Sequence, residues 1–134
     1  MTNPARHLIM VIDDEATVLQ AFNILLDAWG YDVLAAASED EAVDKLKGPD
    51  GAPHLAPHLI VADYRLREGR TGLEAIRRLR AIVGREVPSI IITGDTSTEN
   101  LNEARACGLT VLQKPVLPPH LHAVLTQTLP PGTA

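Results

Sequence analysis

The segment LIMVIDD at residues 8–14 decides the fold, because an unbroken apolar run ends there in two adjacent carboxylates. Apolar residues in succession, without polar alternation, are typical of a strand that is buried on both faces, as in a parallel sheet. The ligand-binding crevice of such a sheet lies beyond the carboxyl ends of its strands. We therefore expect Asp13 and Asp14 to border a functional crevice.

Three more apolar runs end in the same way, on a side chain suited to phosphoryl chemistry. They are LIVA before Asp63, III before Thr93 and VLQ before Lys114. The remaining run, at residues 31–36, carries no such group. If the strands are parallel, the carboxylates, the hydroxyl and the ammonium group converge on one small pocket.

Amphipathic stretches separate these runs, and the alternation predicts five strands and five helices in one doubly wound α/β structure. Ser38 and Glu41 have the spacing of a capping box for the second helix, and Gly72 begins the third. Residues 96–99 can cap the fourth helix, whose apolar stripe is short, so we expect this helix to shift most readily. The apolar face predicted for the last helix consists of Leu117, Leu121, Val124 and Leu125.

Composition predicts a single globular domain over residues 1–134, with a core at about 7–129. Apolar residues make up 46% of the chain and charged residues 22%, the balance of a soluble protein. No stretch approaches the roughly 20 apolar residues of a membrane helix, and the first residues lack the pattern of a signal peptide. The net charge of −5 argues against a nucleic-acid surface. With Cys107 as the sole cysteine, we expect a cytoplasmic chain without direct nucleic-acid or membrane contacts.

The five histidines show no spacing that predicts a zinc site. His120 and His122 are two residues apart, which would place them on different faces of a helix. We expect most of the histidines at the surface.

The acidic pair and Asp63 carry the ligand chemistry of a magnesium site. Mg²⁺ prefers oxygen ligands and usually takes one or two carboxylates together with waters and phosphate oxygens. Asp14 and Asp63 can bind directly, Asp13 directly or through water, and the backbone carbonyl of Arg65 can complete the set. An acidic pair alone is more often a helix N-cap, and it is the third carboxylate that favours the metal site.

Asp63 is also the candidate nucleophile. A carboxylate can attack phosphorus and form an acyl phosphate, and the equatorial oxygens then need positioned cations and donors. Lys114 offers a positive charge, Thr93 a hydroxyl, and Gly94 room for the phosphoryl group and a free backbone N–H. Each has an ordinary structural explanation alone, but together at one sheet edge they indicate phosphoryl transfer. The bond from Lys114 to Pro115 can be cis or trans, and the sequence leaves both isomers open.

The combined motifs resemble the receiver domain of response regulators in two-component signalling. They are Asp13-Asp14, Asp63, Thr93-Gly94 and Lys114-Pro115. The resemblance covers nearly the whole chain and implies a flavodoxin-like (βα)5 fold with strand order 2-1-3-4-5.

The resemblance also implies a role for each of these residues. Asp63 would accept a phosphoryl group from a histidine kinase or a histidine phosphotransfer domain, and Lys114 would contact that group. Asp13 and Asp14 would hold Mg²⁺, and Thr93 would be the switch hydroxyl. Such a domain is a phosphoacceptor with at most slow self-dephosphorylation and is not an enzyme.

Two finer features qualify the resemblance. Many receivers carry Tyr or Phe three residues before the lysine, where this chain has Val111, which favours a milder conformational change or a role as a phosphate relay. The segment at residues 108–116 is most similar to receivers attached to hybrid sensor histidine kinases. The chain could therefore be a stand-alone regulator or the receiver part of such a kinase.

Three other functions compete with this interpretation. A Mg²⁺-dependent phosphohydrolase could use Asp63 as its nucleophile, but such enzymes often place a second aspartate two residues later, where this chain has Arg65. A nucleotide-binding module would need a glycine-rich turn after the first strand, where the sequence is Asp-Asp-Glu. A receiver that is never phosphorylated would not need the complete set of acidic, hydroxyl and lysine groups.

Overall fold

The computed structural model describes residues 7–52, 55–94 and 98–129, with the backbone alone described for 98–101. Five strands and five α-helices alternate along these ranges. They are β1 Leu8–Ile12, α1 Ala16–Ala28, β2 Asp32–Ala36, α2 Glu39–Leu46, β3 Leu59–Asp63, α3 Gly72–Val83, β4 Ser89–Thr93, α4 Thr98–Ala106, β5 Thr110–Gln113 and α5 Pro118–Thr128. A short 3-10 turn at Arg67–Gly69 lies between β3 and α3.

The strands form one parallel sheet in the order β2-β1-β3-β4-β5, which confirms the predicted fold class. The register brings the carboxyl ends of the central strands level. Ile12 pairs with Ala62, and Asp63 pairs with Ile92. The polar residues that follow the apolar runs therefore lie along a single edge of the sheet.

Alternate residues of each strand face opposite sides of the sheet, so the sheet separates two hydrophobic cores. Met10, Ile60 and Ile91 pack on the side of α2, α3 and α4. Ile9 and Ile90 pack on the side of α1 and α5. Burial on both faces is the reason why the strand sequences are apolar throughout.

Two predictions about helix ends need correction. Ser38 Oγ accepts a hydrogen bond from the Glu41 N–H at 3.1 Å, but the Glu41 carboxylate accepts from the Ala37 N–H, one residue before the expected partner. Leu117 does not belong to the buried face of α5, because it precedes the first helical turn and its relative exposure is 63%. Leu121, Val124 and Leu125 form that face as predicted. The predicted cap at residues 96–99 lies largely outside the described residues, and the ready shift of α4 stays a prediction.

His120 and His122 are exposed as expected, whereas the amino edge of the sheet holds two half-buried histidines. His58 Nδ1 accepts a hydrogen bond from the Leu8 N–H at 2.9 Å, which ties the start of β3 to the start of β1. The rings of His7 and His58 meet edge to face with centroids 5.0 Å apart. Burial lowers the pKa of His58, and the nearby charges of His7 and Arg85 lower it further.

A lowered pKa at His58 predicts that acid destabilises the fold. The unfolded chain takes up a proton near the ordinary histidine value of 6.5, whereas the folded chain resists it, so the stabilising contribution is complete above that pH and is lost below it. His58→Asn keeps an acceptor for Leu8 without titrating. We expect the free energy of unfolding, measured by urea titration, to fall less between pH 7.5 and 5.5 in this variant than in the native chain. For one proton, the difference is at most about 1.4 kcal/mol per pH unit.

The matched control is His120→Asn, on an exposed position of α5. We expect it to follow the native chain more closely than His58→Asn does. An identical loss of stability in the native chain and His58→Asn would contradict the role assigned to His58.

Candidate functional site

Three carboxylates meet at the carboxyl edge of the sheet, beyond β1 and β3. Asp13, Asp14 and Asp63 each offer a ligand oxygen, and these oxygens all lie within 4.8 Å of one another. Asp13 and Asp63 are buried, and Asp14 is half-buried. The juxtaposition follows from the parallel register of the two central strands.

Asp13 has both a local and a site role. Its Oδ1 accepts a hydrogen bond from the Glu15 N–H at 2.9 Å, and its own N–H donates to Ala36 at the end of β2. The hydrogen bond from the Glu15 N–H agrees with the alternative explanation of the acidic pair as residues that stabilise the start of α1. The N-cap residue itself, however, is Glu15. Burial raises the pKa of Asp13, the Glu15 N–H opposes that rise, and the charges of Asp63 and Asp14 add to it.

Lys114 reaches this cluster from the end of β5. Its Nζ lies 3.2 Å from Asp63 Oδ2, and its backbone N–H donates to the Thr93 carbonyl at 2.8 Å, which joins the ends of β5 and β4. The peptide bond from Lys114 to Pro115 is cis. The ammonium group therefore balances part of the negative charge beside the candidate nucleophile.

One polar pocket of about 590 Å³ is lined by most of the predicted groups, whereas Asp13 lines the neighbouring groove. The predicted residues along its wall are Asp14, Asp63, Arg65, Thr93, Gly94 and Lys114. Thr93 is buried, whereas Gly94 is exposed at the mouth. A Cβ built on Gly94 would have as its nearest neighbour Lys114 Cδ at 3.9 Å, so the protein itself leaves this space open.

A larger groove of about 740 Å³ opens beside Lys114, between α1 and α5. Its lining is mostly apolar and includes Val18, Phe22 and Leu121. Because it contributes few polar atoms, we assign the phosphoryl chemistry to the smaller pocket.

The structure adds Gly72 to the site, which sequence reasoning had treated only as the start of α3. A Cβ on Gly72 would lie 2.3 Å from the Asp63 carbonyl oxygen and 3.0 Å from Ala62 Cβ. The Gly72 N–H donates to the Tyr64 carbonyl at 2.8 Å. This close approach seats α3 against the end of β3 and fixes the backbone of Asp63.

Ion pairs between arginines and carboxylates of distant segments were also missed, and the arginines in them lie outside the lining of the polar pocket. Glu39, in the first turn of α2, is buried and receives Arg78 at 2.7 Å and Arg70 at 3.4 Å. Arg67 contacts Asp14 from the 3-10 turn. The sequence does not indicate which charged residues form ion pairs between different helices and loops.

The donor set fits a hard divalent cation. All three side chains supply carboxylate oxygens, the ligand type that Mg²⁺ prefers. Burial is the largest cause of the raised pKa of Asp13, and the negative charges of Asp63 and Asp14 add to it, more than the single charge of Lys114 offsets. A bound cation would supply the missing positive charge.

The sequence profile of the response regulator receiver domain family matches residues 9–126. This chain belongs to that family. Receiver domains take phosphate from histidine kinases or phosphotransfer proteins, generally bind Mg²⁺ at an acidic pocket, and are phosphoacceptors in two-component systems. The family supports the general assignment made from the motifs.

Curated relatives are regulators that are longer than this receiver domain. The phyllosphere-induced regulator PhyR of Methylorubrum extorquens is 29% identical over 121 residues, which are 90% of this chain and 43% of PhyR. The transcriptional regulatory protein ZraR of Escherichia coli is 31% identical over 125 residues, which are 90% of this chain and 26% of ZraR. The receiver domain thus spans less than half of either regulator.

Solved structures show the same fold. The chemotaxis protein CheY4 of Vibrio cholerae has a TM-score of 0.78 and 28% identity over 93% of this chain and 100% of CheY4. A response regulator receiver protein from Pseudomonas putida has a TM-score of 0.77 and 27% identity over 93% of this chain and 99% of that protein. Within the described ranges, no helix is both long and apolar enough for a bilayer crossing.

Replacing Asp13 by Asn should stabilise the cation-free domain. Asn retains an oxygen for the Glu15 N–H and removes a charge from beside Asp63 and Asp14. Because the folded state raises the pKa of Asp13, its ionised form costs stability at neutral pH, and the cost disappears as the pH falls through the folded pKa. We expect Asp13→Asn to unfold a few degrees higher than the native chain in EDTA at pH 7, with the gap closing in acid.

Thermal unfolding followed by circular dichroism measures this difference. Asp44→Asn, at an exposed position of α2, makes the same change of charge and should leave the midpoint nearly unchanged. A native midpoint equal to or above that of Asp13→Asn in EDTA would refute the claim that the ionised Asp13 carboxylate, disfavoured by burial and by its acidic neighbours, costs stability.

Adding a methyl group at Gly72 should damage the packing beneath Asp63. The 2.3 Å approach to a backbone oxygen forces α3 and β3 apart, and overpacking of this kind costs about 1–3 kcal/mol. Denaturant unfolding of Gly72→Ala would measure the loss. Gly94→Ala, which meets no atom closer than 3.9 Å, should stay within about 0.5 kcal/mol of the native chain, and equal stabilities of the two variants would contradict the packing argument.

Proposed function

We propose that this receiver domain accepts a phosphoryl group on Asp63 in a two-component phosphorelay, with a histidine kinase or a histidine phosphotransfer domain as the donor. The observation that carries the proposal is the position of the Asp63 carboxylate, 3.2 Å from Lys114 Nζ and within 4.8 Å of two further carboxylates. The domain then relays the group or passes on a conformational signal.

The chemistry is a displacement at phosphorus. A carboxylate oxygen of Asp63 forms a bond to phosphorus as the bond from phosphorus to the donor's imidazole nitrogen breaks. The electron pair of the broken bond stays on that nitrogen, and the ring, protonated on its other nitrogen, leaves as neutral imidazole. The product is an acyl phosphate on Asp63.

Two groups of the protein are suited to the charge on the transferred group. Lys114 already contacts one carboxylate oxygen of Asp63, so its ammonium group can move to a phosphoryl oxygen with little displacement. The Thr93 hydroxyl and the space beside Gly94 lie along the same pocket, where a donor can meet a second oxygen. The role of Thr93 as the switch hydroxyl is part of this proposal.

We assign Mg²⁺ to Asp13, Asp14, Asp63 and the backbone carbonyl of Arg65. Bound there, the cation would neutralise charge on the phosphoryl oxygens. The three clustered carboxylates support the assignment, and Arg65 lines the same pocket.

The signal would travel through the loops at the ends of β4 and β5. Phosphorylation adds roughly −1.5 to −2 charges at neutral pH, which draws Thr93 and Lys114 toward the new oxygens and favours one position of α4. Val111 is half-buried against the core on the α4 side. Since it carries no aromatic ring, we expect a mild rearrangement or a relay role.

A Mg²⁺-dependent phosphohydrolase is the weaker alternative. Such an enzyme needs a second acid–base group beside the nucleophile, and the residue two positions after Asp63 is the exposed Arg65. We also propose that residues 1–134 act as one receiver domain, with a core at about 7–129, in the cytoplasm and without direct contacts to nucleic acid or membrane. The similarity to receivers of hybrid sensor kinases stays a prediction.

Incubation with acetyl phosphate and Mg²⁺ tests the proposal. Intact mass spectrometry should show one added phosphoryl group on the native chain and none on Asp63→Asn, which retains the shape but not the nucleophile. Lys114→Ala should be labelled at least about tenfold more slowly, since loss of one charge-stabilising donor costs on the order of 10²–10³ in comparable sites.

Equal labelling of the native chain and Asp63→Asn would refute the assignment of Asp63. Multiple turnovers on a simple phosphate ester would support the phosphohydrolase. Absence of labelling at any concentration of donor and Mg²⁺ would refute phosphotransfer itself.

A further inference from the structure

The loop between β3 and α3 is a closed hairpin that lies beside the acidic cluster. Arg65 and Thr71 form an antiparallel bridge, and the Leu66 N–H donates to the Arg70 carbonyl at 2.9 Å. At the tip, Glu68 has φ 63° and Gly69 has φ 72°, both in the left-handed region. These constraints fix the backbone of Arg67, the residue just before the tip.

Arg67 makes a two-point contact with Asp14. Its Nε lies 3.5 Å from Asp14 Oδ2, and its Nη2 donates to the Asp14 backbone carbonyl at 3.3 Å. The guanidinium thus forms an ion pair with a carboxylate of the proposed magnesium site. The Arg67 side chain is 78% exposed and that of Asp14 is 23% exposed, so this ion pair lies at the surface, within reach of solvent.

A second arginine anchors the same hairpin. Arg70 Nη1 lies 3.4 Å from the carboxylate of Glu39, whose side chain is only 8% exposed. Arg78 reaches the same carboxylate oxygen at 2.7 Å. Arg70 therefore ties the hairpin to α2, while the contacts that the described residues make with the Arg67 side chain are exposed ones to Asp14, which solvent can replace.

We propose that Arg67 is a gate that competes with the divalent cation for Asp14. The inference rests on the proposed function, because it needs a cation at this cluster. A cation bound to a carboxylate oxygen at the usual 2.0–2.1 Å requires the guanidinium to leave that oxygen. Since most of the Arg67 side chain already lies in solvent, it can swing away at little cost.

The gate sets the cation affinity of the domain. An exposed ion pair is worth about 0.2–1 kcal/mol, and the cation must replace that interaction. Removal of Arg67 should therefore tighten cation binding by about 1.4- to fivefold. In the cation-free domain the same guanidinium lowers the repulsion among the three carboxylates, so its loss should also lower the thermal midpoint in EDTA.

Electron paramagnetic resonance of free Mn²⁺, with Mg²⁺ as competitor, measures the affinities without any phosphorylation step. We expect Arg67→Ala to have a Kd for Mn²⁺ about 1.4- to fivefold below that of the native chain. Arg67→Lys, which keeps the charge but not the two-point contact, should have a Kd between the two. The difference should shrink from 20 mM to 500 mM salt, because exposed charges are screened.

Arg105→Ala is the matched control. It also removes one exposed positive charge. Arg105 lies near the carboxyl end of α4, which leads into the amino end of β5, so it lies toward the amino edge of the sheet, whereas the acidic cluster lies at the carboxyl edge. We expect the Kd of Arg105→Ala to equal the native value.

The outcomes separate the gate from the site itself. Native binding with an unchanged or weaker affinity in Arg67→Ala would overturn the gate and leave the proposed cation site intact. The same tightening in Arg105→Ala would also overturn it, because a general charge effect would then be enough. No binding of Mn²⁺ to any of the chains would overturn both the gate and the proposed cation site.

Discussion

The crowding of three carboxylates at one edge of a parallel sheet is the constraint on which the rest of the structure depends. Parallel strands in register deliver Asp13, Asp14 and Asp63 to the same place, where like charges in a partly dry cleft repel. The surrounding groups each reduce that repulsion. They are the Glu15 N–H on Asp13, Lys114 on Asp63 and Arg67 on Asp14.

The crowded carboxylates cost stability and, on the proposed function, prepare the site for phosphoryl transfer. A metal-free domain keeps its carboxylates close at a cost, and on the proposed function a bound cation would remove that cost and offset the negative charge of an incoming phosphoryl group. The two apolar cores on either side of the sheet supply the stability that tolerates it. Gly72 contributes by allowing α3 to approach the Asp63 backbone closely.

Much of the fold and of the site could be predicted from the sequence, because both depend on features that are local in the chain. Apolar runs identify buried parallel strands, and the residue after each run must lie at the carboxyl edge whatever the details of packing. For that reason Asp63, Thr93 and Lys114 were correctly expected near one another, and the five-stranded order is confirmed. Leu117 was misplaced by only one residue, since α5 begins at Pro118.

The features that were missed depend on approaches between distant segments. Nothing in the sequence around Gly72 indicates that its α-carbon faces the Asp63 carbonyl. Arg67 is 53 residues from Asp14, and Arg78 is 39 residues from Glu39. Such pairings follow from how a loop closes over the sheet, and single-sequence patterns do not contain that information.

The electron density around Asp63 in crystals grown with Mg²⁺ and beryllofluoride, which mimics a bound phosphoryl group, tests the central claim most directly. We predict a beryllium atom bound to an oxygen of Asp63, a cation held by the three carboxylates, and fluorides within hydrogen-bond distance of Lys114 Nζ and Thr93 Oγ1. Beryllofluoride bound elsewhere, or an unmodified Asp63 at saturating concentrations of both reagents, would contradict it.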